Sequence, residues 1–448
     1  MLPTRRDVIA GLCSTLLEGL QGCYRAKPEP VAITYMDPEW SNDRTQRSLL
    51  SEGALRQFES ETGISVKHLP APETSQTQLK LVQELLGEME TPDVIGIDVI
   101  WPGLLDDVLL DLKSFFSSEL SAADPDLVKS YTVNDSVVAI PYHPHVGALL
   151  YRTDLLTKYG YHAPPQTWPE LEKMAFHIQE GERAAGVKDF WGFVWPGAAD
   201  EGLTCLALEW QASEGGGTII EANRTVSVNN QNAIRSWQRA ARWIGWISSP
   251  NVTAYEEWDS ANHFENSGKT AFRRSWTSDY FLANPPNGTP TKSTIDGRIG
   301  VTSVPSGKFG VGTLGGFGLG ISKRSKHQPE AIALVKFLLH KEAELEAARS
   351  SAELPTGTGL YRLPTFLRAY SRSIPAGQPR GDDIVSRPST LVRTKYEDVS
   401  HAYAEAVHSV LTGKNNAPEA AAELETELEH ITGFPKAPLK QPKPAYPA

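Results

Sequence analysis

Hydrophobic positions along the first hundred residues switch between two periods. Val31-Ala32-Ile33-Thr34-Tyr35 is a short β-like run. A polar loop from Asp37 to Gln46 follows, and residues 49–62 then carry the spacing of an amphipathic helix that Gly63 ends. Ile64-Ser65-Val66-Lys67-His68-Leu69 predicts a second strand, residues 76–89 a second helix, and Asp93-Val94-Ile95-Gly96-Ile97-Asp98 a third strand. Strand–helix–strand–helix–strand is the pattern of a parallel sheet with helical crossovers, so an α/β fold is expected.

The regularity breaks after Asp98. Residues 137–142 and 147–152 read as two strands joined by a polar link that bears histidines. Thr167 is placed to cap a helix, with Pro169 early in it and Glu170 at its positive end. Further helices are expected at 231–247, 329–347 and 416–431. Residues 436–448 are proline-rich and are expected to form a flexible tail. No internal repeat is visible.

With 448 residues the chain is long enough for two or three domains with their own cores. Its net charge of −11 comes without a long acidic block and argues against nucleic acid, because phosphate binding needs a basic face. Eleven Trp exceed what a core of this size needs, and the set as a whole suggests a lined pocket or interface. The start reads as an export leader: Arg5 and Arg6 precede a modest apolar stretch, Val8 to Leu20, too short to span a bilayer. Leu20-Gln21-Gly22-Cys23 resembles a lipoprotein cleavage box. That divides the beginning into a signal peptide, 1–22, and a tether, 23–30, with Cys23 as the site of lipid attachment. Glu18 inside the apolar stretch fits the alternative of an amphipathic cytosolic start. Cleavage before Cys23 leaves Cys205 as a lone thiol in an apolar setting. No spacing of Cys and His suits zinc, and no cofactor is expected.

Several segments resemble one family in its own order. They are Thr91 to Trp101, Leu149-Leu150-Tyr151-Arg152-Thr153-Asp154, Pro165-Gln166-Thr167-Trp168-Pro169-Glu170-Leu171, Phe190 to Trp195, Ala271-Phe272-Arg273-Arg274-Ser275-Trp276 and Thr313 to Ser322. Val410-Leu411-Thr412-Gly413-Lys414 continues the match. The pattern resembles the extracytoplasmic solute-binding proteins of sugar ABC transporters, in the branch that includes trehalose/maltose-binding proteins. The resemblance implies a two-lobed periplasmic-binding-protein type II fold, each lobe a sheet flanked by helices and hinged by crossing strands. Lobe I is expected from 31–138 and 317–349, and lobe II from 139–316 and 350–435. Crossings are expected near 138–146 and 313–318, with a return near 350. The expected protein is an exported monomer, periplasmic or on the outer face of the membrane. It would hand a small carbohydrate, by default a disaccharide of glucose, to membrane permease subunits.

A sugar asks for paired donors and acceptors at its hydroxyls and a flat apolar surface under its ring. Asp98 ends an apolar strand, where ligands of open α/β sheets sit, which is favoured over the alternative that it only caps the next turn. The resemblance also places a sugar-binding Asp there. Trp101 would shape the same wall. His143 and His145 stand where relatives have Tyr and Asp; two apart on an extended segment, they would face one side. No acidic or Cys partner is near them, so hydroxyls rather than a metal are the expected contacts. Glu201 matches a cleft Glu of the family or is a solvent-facing charge. Trp276 is the expected stacking platform, and Gly316 and Phe317 would bring backbone and an aromatic ring into the cleft. Glu39, with Asp37 and Trp40, stands in a loop that could reach it. Relatives carry an Arg near the turn matching 354–357, where the nearest here is Arg362. The rival reading is a secreted glycoside hydrolase using the carboxylates of Asp98 and Glu201. Gly310-Val311-Gly312-Thr313-Leu314-Gly315 fits GxGxxG but lacks the strand–turn–helix frame of a dinucleotide site.

Overall fold

The computed structural model describes residues 31–36, 52–69, 92–283, 293–305, 311–345, 356 and 384–438. The expected leader, Cys23, Glu39 with its loop, the 76–89 helix and Arg362 lie outside these.

Strands β1 (Ala32–Met36) and β2 (Ser65–Leu69) pair in parallel, and β3 (Val94–Asp98) pairs in parallel with β1. The Glu52–Thr62 helix between β1 and β2 buries Ala54 and Phe58, one turn apart on its inner face. Gly63, at φ +73°, ends it, its N–H donating to the Glu59 carbonyl at 2.9 Å. A small hairpin joins β4 (Thr132–Val133) to β5 (Ser136–Val137) through Asn134 and Asp135, both at positive φ as a tight hairpin turn requires.

The larger sheet has nine strands among the described residues. Its order is β2-β1-β3-β10-β6-β8-β7, where β6 is Ile140–Arg152, β7 Trp191–Val194, β8 Thr270–Trp276 and β10 Gly312–Ile321. β9 (Ile299–Ser303) also pairs with β6, and β11 (Ile384–Val385) with β10. The two strands expected at 137–142 and 147–152 are therefore one long β6. The histidine link is a kink inside it: His143 sits at φ +56°, and Pro144 has no N–H to donate. β10 answers with Gly316 at φ +100° and a shift of register between Gly316 and Phe317.

This kink is where the sheet changes company. Through the kink as far as Val146, β6 pairs with β10, which pairs in turn with β3; from Gly147 onward it pairs with β8 and β9. Two sets of buried residues follow the division. Ile33, Phe58, Val94, Tyr142, Leu319 and Leu334 belong to one, and a neighbouring group around Ile97, Trp101 and Tyr131 lines the same strands. Leu149, Phe193, Leu206, Trp237, Tyr403 and Leu424 belong to the other, under the helices Trp168–Ala184, Glu201–Ser213, Gln231–Trp243, Tyr396–Leu411 and Ala417–Thr432.

Local signals fixed several helix ends. Thr167 and Glu170 form a reciprocal capping box, each side chain accepting from the other's backbone N–H. The helix expected to reach 247 stops at Trp243, because Ile244 is extended and Gly245 takes φ +77°. The helix expected over 329–347 runs Gln328–Leu338 and is broken at 339–340. Lys436 and Ala437, expected in the tail, pair along Val226.

The tryptophan expectation needs correcting. Trp168, Trp195, Trp210, Trp237 and Trp243 are all buried in the second core, Trp195, Trp210 and Trp243 meeting edge to face with centroids 5.3 and 5.6 Å apart. These five of the eleven fill a core between helices, where large rings cover area that small side chains cannot. Among the described residues no helix is long and apolar enough to cross a membrane.

Candidate functional site

Four polar side chains converge where β3, β6 and β10 approach the second core. Asp98 is the last residue of β3 and pairs with Phe317 of β10. One of its oxygens accepts the Ile100 N–H at 3.0 Å, so it caps the following turn as well as facing its polar neighbours. Burial raises its carboxyl above the ordinary value; Arg387 and the Ile100 N–H pull it down, Glu201 pushes it up and His145 pulls it down. These opposing influences place Asp98, Arg387, Glu201 and His145 within electrostatic reach of one another.

Glu201 opens the Glu201–Ser213 helix, where a negative charge meets the positive end. It is held from three directions. Its Oε1 accepts from Arg387 Nη1 at 2.7 Å and from the Tyr396 hydroxyl at 2.5 Å, and its Oε2 from the Ser400 hydroxyl at 2.5 Å. It is neither a free surface charge nor a loop residue. The preceding Asp200 caps the helix through Leu203 N–H at 3.2 Å. Burial pushes the Asp200 carboxyl up to about 6; the Leu203 and Gly202 N–H groups oppose the rise, and Glu256 and Glu257 add to it.

Arg387 is the residue that the sequence did not single out. Its side chain is 6% exposed, and its second terminal nitrogen donates to the Leu314 carbonyl at 3.0 Å. It ties the segment after β11 to β10 and to Glu201. Sequence reasoning pointed to Arg362, which lies outside the described residues, and nothing in the sequence near residue 387 signalled a role for Arg387.

Trp276 ends β8, opposite Gly147 of β6. Its indole N–H donates to Glu257 Oε1 at 2.7 Å, and the Arg274 guanidinium lies over its ring at 4.2 Å. The ring rests on Gly315, where an added Cβ would come within 2.7 Å of it. The carboxyl of Glu257 is raised by burial against the pull of Arg274 and Arg273.

His145 is partly exposed and meets Phe317 edge-on, centroids 5.8 Å apart. His143 is 2% exposed, its ring 3.7 Å from that of Tyr142. The expectation that both histidines face one side is corrected: alternation holds only for extended backbone, and His143 has positive φ. Among the described residues no three His, Cys, Asp or Glu side chains gather to hold a metal. Trp101 is 5% exposed and packs in the core around Ile97 and Tyr131 rather than on an open wall. Phe317 is likewise buried at 5%, and Gly316 makes the close approach, an added Cβ there lying 2.4 Å from the His143 carbonyl oxygen. The Cys205 thiol is buried, which pushes it up to about 12 and leaves it inert as a nucleophile.

A family model described as bacterial extracellular solute-binding protein matches residues 53–369. A Deinococcus radiodurans protein named "Probable ABC transporter-binding protein" is 40% identical over 379 residues, 83% of this chain and 88% of its own. The maltose-bound T. maritima MalE3 structure superposes with a TM-score of 0.74 at 30% identity, covering 90% of this chain and all of that one. The GacH receptor of Streptomyces glaucescens, solved unliganded and with acarbose, shares the fold with a TM-score of 0.73 at 21% identity over 90% of this chain and 99% of its own. These matches confirm the two-lobed α/β architecture and overturn the glycoside hydrolase alternative. The chain belongs to the bacterial extracellular solute-binding family, and it is a binding protein, not an enzyme.

Proposed function

We propose that the protein binds a small carbohydrate, a disaccharide in the first instance, in the cleft between its lobes and delivers it to the permease subunits of an ABC transporter. The observation that carries this is the meeting of two chemistries. Asp98, Glu201, Arg387 and His145 offer acceptors and donors of opposite charge, and Trp276 offers a flat ring a short way along the same strands. Charged hydrogen bonds suit hydroxyls, and an indole suits the C–H face of a sugar ring. The curated relative carries an ABC-transporter name and the T. maritima structure holds maltose, which favours the same reading.

In this reading the lobes are 31–138 with 317–349 and 139–316 with 350–435, and Asp98, His145, Glu201, Trp276 and Gly316 are the cleft contacts. Arg387 joins them. Trp101, His143 and Phe317 act from behind, as the packing that sets the cleft wall, and Glu39 is a further proposed contact. The chain works as a monomer, held at the membrane through a lipid on Cys23.

A thermal-shift screen over mono-, di- and trisaccharides and polyols tests the function. A ligand that binds only the folded state at one hundred times its Kd adds about 2.7 kcal/mol of stability. A saturable rise with a disaccharide, reported also by Trp fluorescence, is expected. No response to any carbohydrate would sink the proposal, and a response to polyols alone would reassign the ligand.

A further inference from the structure

We infer that Glu257 is the positioning residue of the Trp276 platform: it fixes the indole before any ligand arrives. This rests on Trp276 being the stacking surface proposed above. Glu257 begins the short Glu257–Ala261 helix, nineteen positions before Trp276, and touches the platform only through the fold. Its Oε1 accepts two hydrogen bonds, from Trp276 Nε1 at 2.7 Å and from Arg274 Nη1 at 3.0 Å. Arg274 is the guanidinium that lies over the Trp276 ring. One carboxylate oxygen therefore holds both the edge of the ring and the group that backs its face.

The anchor behind Glu257 is rigid. Arg274 and Glu209 form a bidentate pair, Nε to Oε2 at 3.0 Å and Nη2 to Oε1 at 2.6 Å, with side chains 1% and 0% exposed. Glu209 Oε1 also accepts the Thr313 N–H of β10 at 3.0 Å. A line of contacts thus runs from β10 through Glu209, Arg274 and Glu257 to the indole. Gly315, two residues after Thr313, supports the ring's far edge. Trp276 stays partly exposed, so the restraint leaves surface for a sugar. Ordering a side chain in advance removes that cost from binding, a gain of about three- to tenfold in affinity for a ring of this kind.

The test uses the full chain labelled with 5-fluorotryptophan, so that each of the eleven indoles carries one fluorine reporter. Trp276→Phe assigns the Trp276 line by its absence. Without ligand, Glu257→Ala is expected to move or broaden that line and leave the others, whereas Glu257→Gln, which keeps an acceptor oxygen, preserves it. Affinity for the best sugar from the screen falls about three- to tenfold in Glu257→Ala, recovers in Glu257→Gln, and is not lowered further by Glu257→Ala once Trp276 is Phe. An unchanged Trp276 line in Glu257→Ala overturns the inference. Losses that add in the double variant also overturn it, making Glu257 a direct ligand contact. If Glu257→Ala disturbs every line, Glu257→Met fills the space without an acceptor and decides by the same outcomes. Should no carbohydrate bind the wild type, the functional proposal fails, while the fluorine line of the free protein still decides whether Glu257 holds the ring.

Discussion

Asp200 shows how a single side chain can serve structure at a cost that depends on pH. Its oxygen caps the Glu201–Ser213 helix, yet its carboxyl sits at about 6 because it is partly buried beside Glu256 and Glu257. Its ordinary value lies near 3.9, so between about pH 4 and 6 the unfolded chain gives up this proton and the folded chain keeps it. The folded state then binds more protons, and its stability falls as pH rises through that window. Asp200→Asn keeps an oxygen for the Leu203 N–H but cannot ionise. Melting temperatures from pH 4 to 7 should decline less steeply in the variant, and the two profiles should differ least near pH 4. Parallel profiles would show that Asp200 titrates normally. The same residue scale explains which parts of the site were legible. Asp98 stood at a strand end and Trp276 at the end of a recognisable segment. Arg387 stood in a stretch without periodicity, 186 positions from the Glu201 it pairs with, and only the fold brings them together.

At the scale of the element, β6 and β10 carry the departure from simple strands. Alternation predicted two strands around the histidines because Pro144 and the polar residues beside it interrupt the apolar run. The backbone instead continues through His143 at positive φ, and its partner absorbs the distortion at Gly316. A sequence cannot display such a kink, since it is set by His143 and Gly316, more than 170 positions apart on two strands. The neighbouring glycines then have separate roles. An Ala at 316 would need φ near +100° and would press its Cβ against the His143 carbonyl oxygen, backbone that cannot step aside. Gly316→Ala should cost about 1–3 kcal/mol or more in urea unfolding. An Ala at 315 would meet the Trp276 ring first, a side chain rather than backbone. Gly315→Ala should lose little stability but weaken sugar binding about tenfold by displacing the platform. Equal stability losses at the two positions would show that the kink bears no special strain.

At the scale of the whole molecule, the two buried cores share β6 and β10 and meet again through the segment after β11. There Arg387 reaches Glu201, and Arg393 grips both oxygens of Asp106 at 2.8 and 2.6 Å. Ser389 packs against the short Pro102–Leu105 helix at its other side, where an added Cβ on Gly103 would meet the Ser389 carbonyl oxygen at 2.6 Å. Among the described residues, thin connections between two dense cores are the arrangement that a proposed hinge motion would use, since close-packed cores resist bending and the strands between them do not. A ligand can draw the lobes together only if it binds the closed arrangement more tightly than the open one. In the proposed site, Asp98 on the first core and Glu201 and Trp276 on the second would give it contacts to both. Small-angle scattering with saturating sugar should therefore show a smaller radius of gyration at unchanged mass, below the value of the free protein. Trp276→Ala at the same sugar concentration should leave the free value. Tight binding with no contraction in the wild type would mean that the lobes are already closed or do not move, and that the transporter recognises something other than closure.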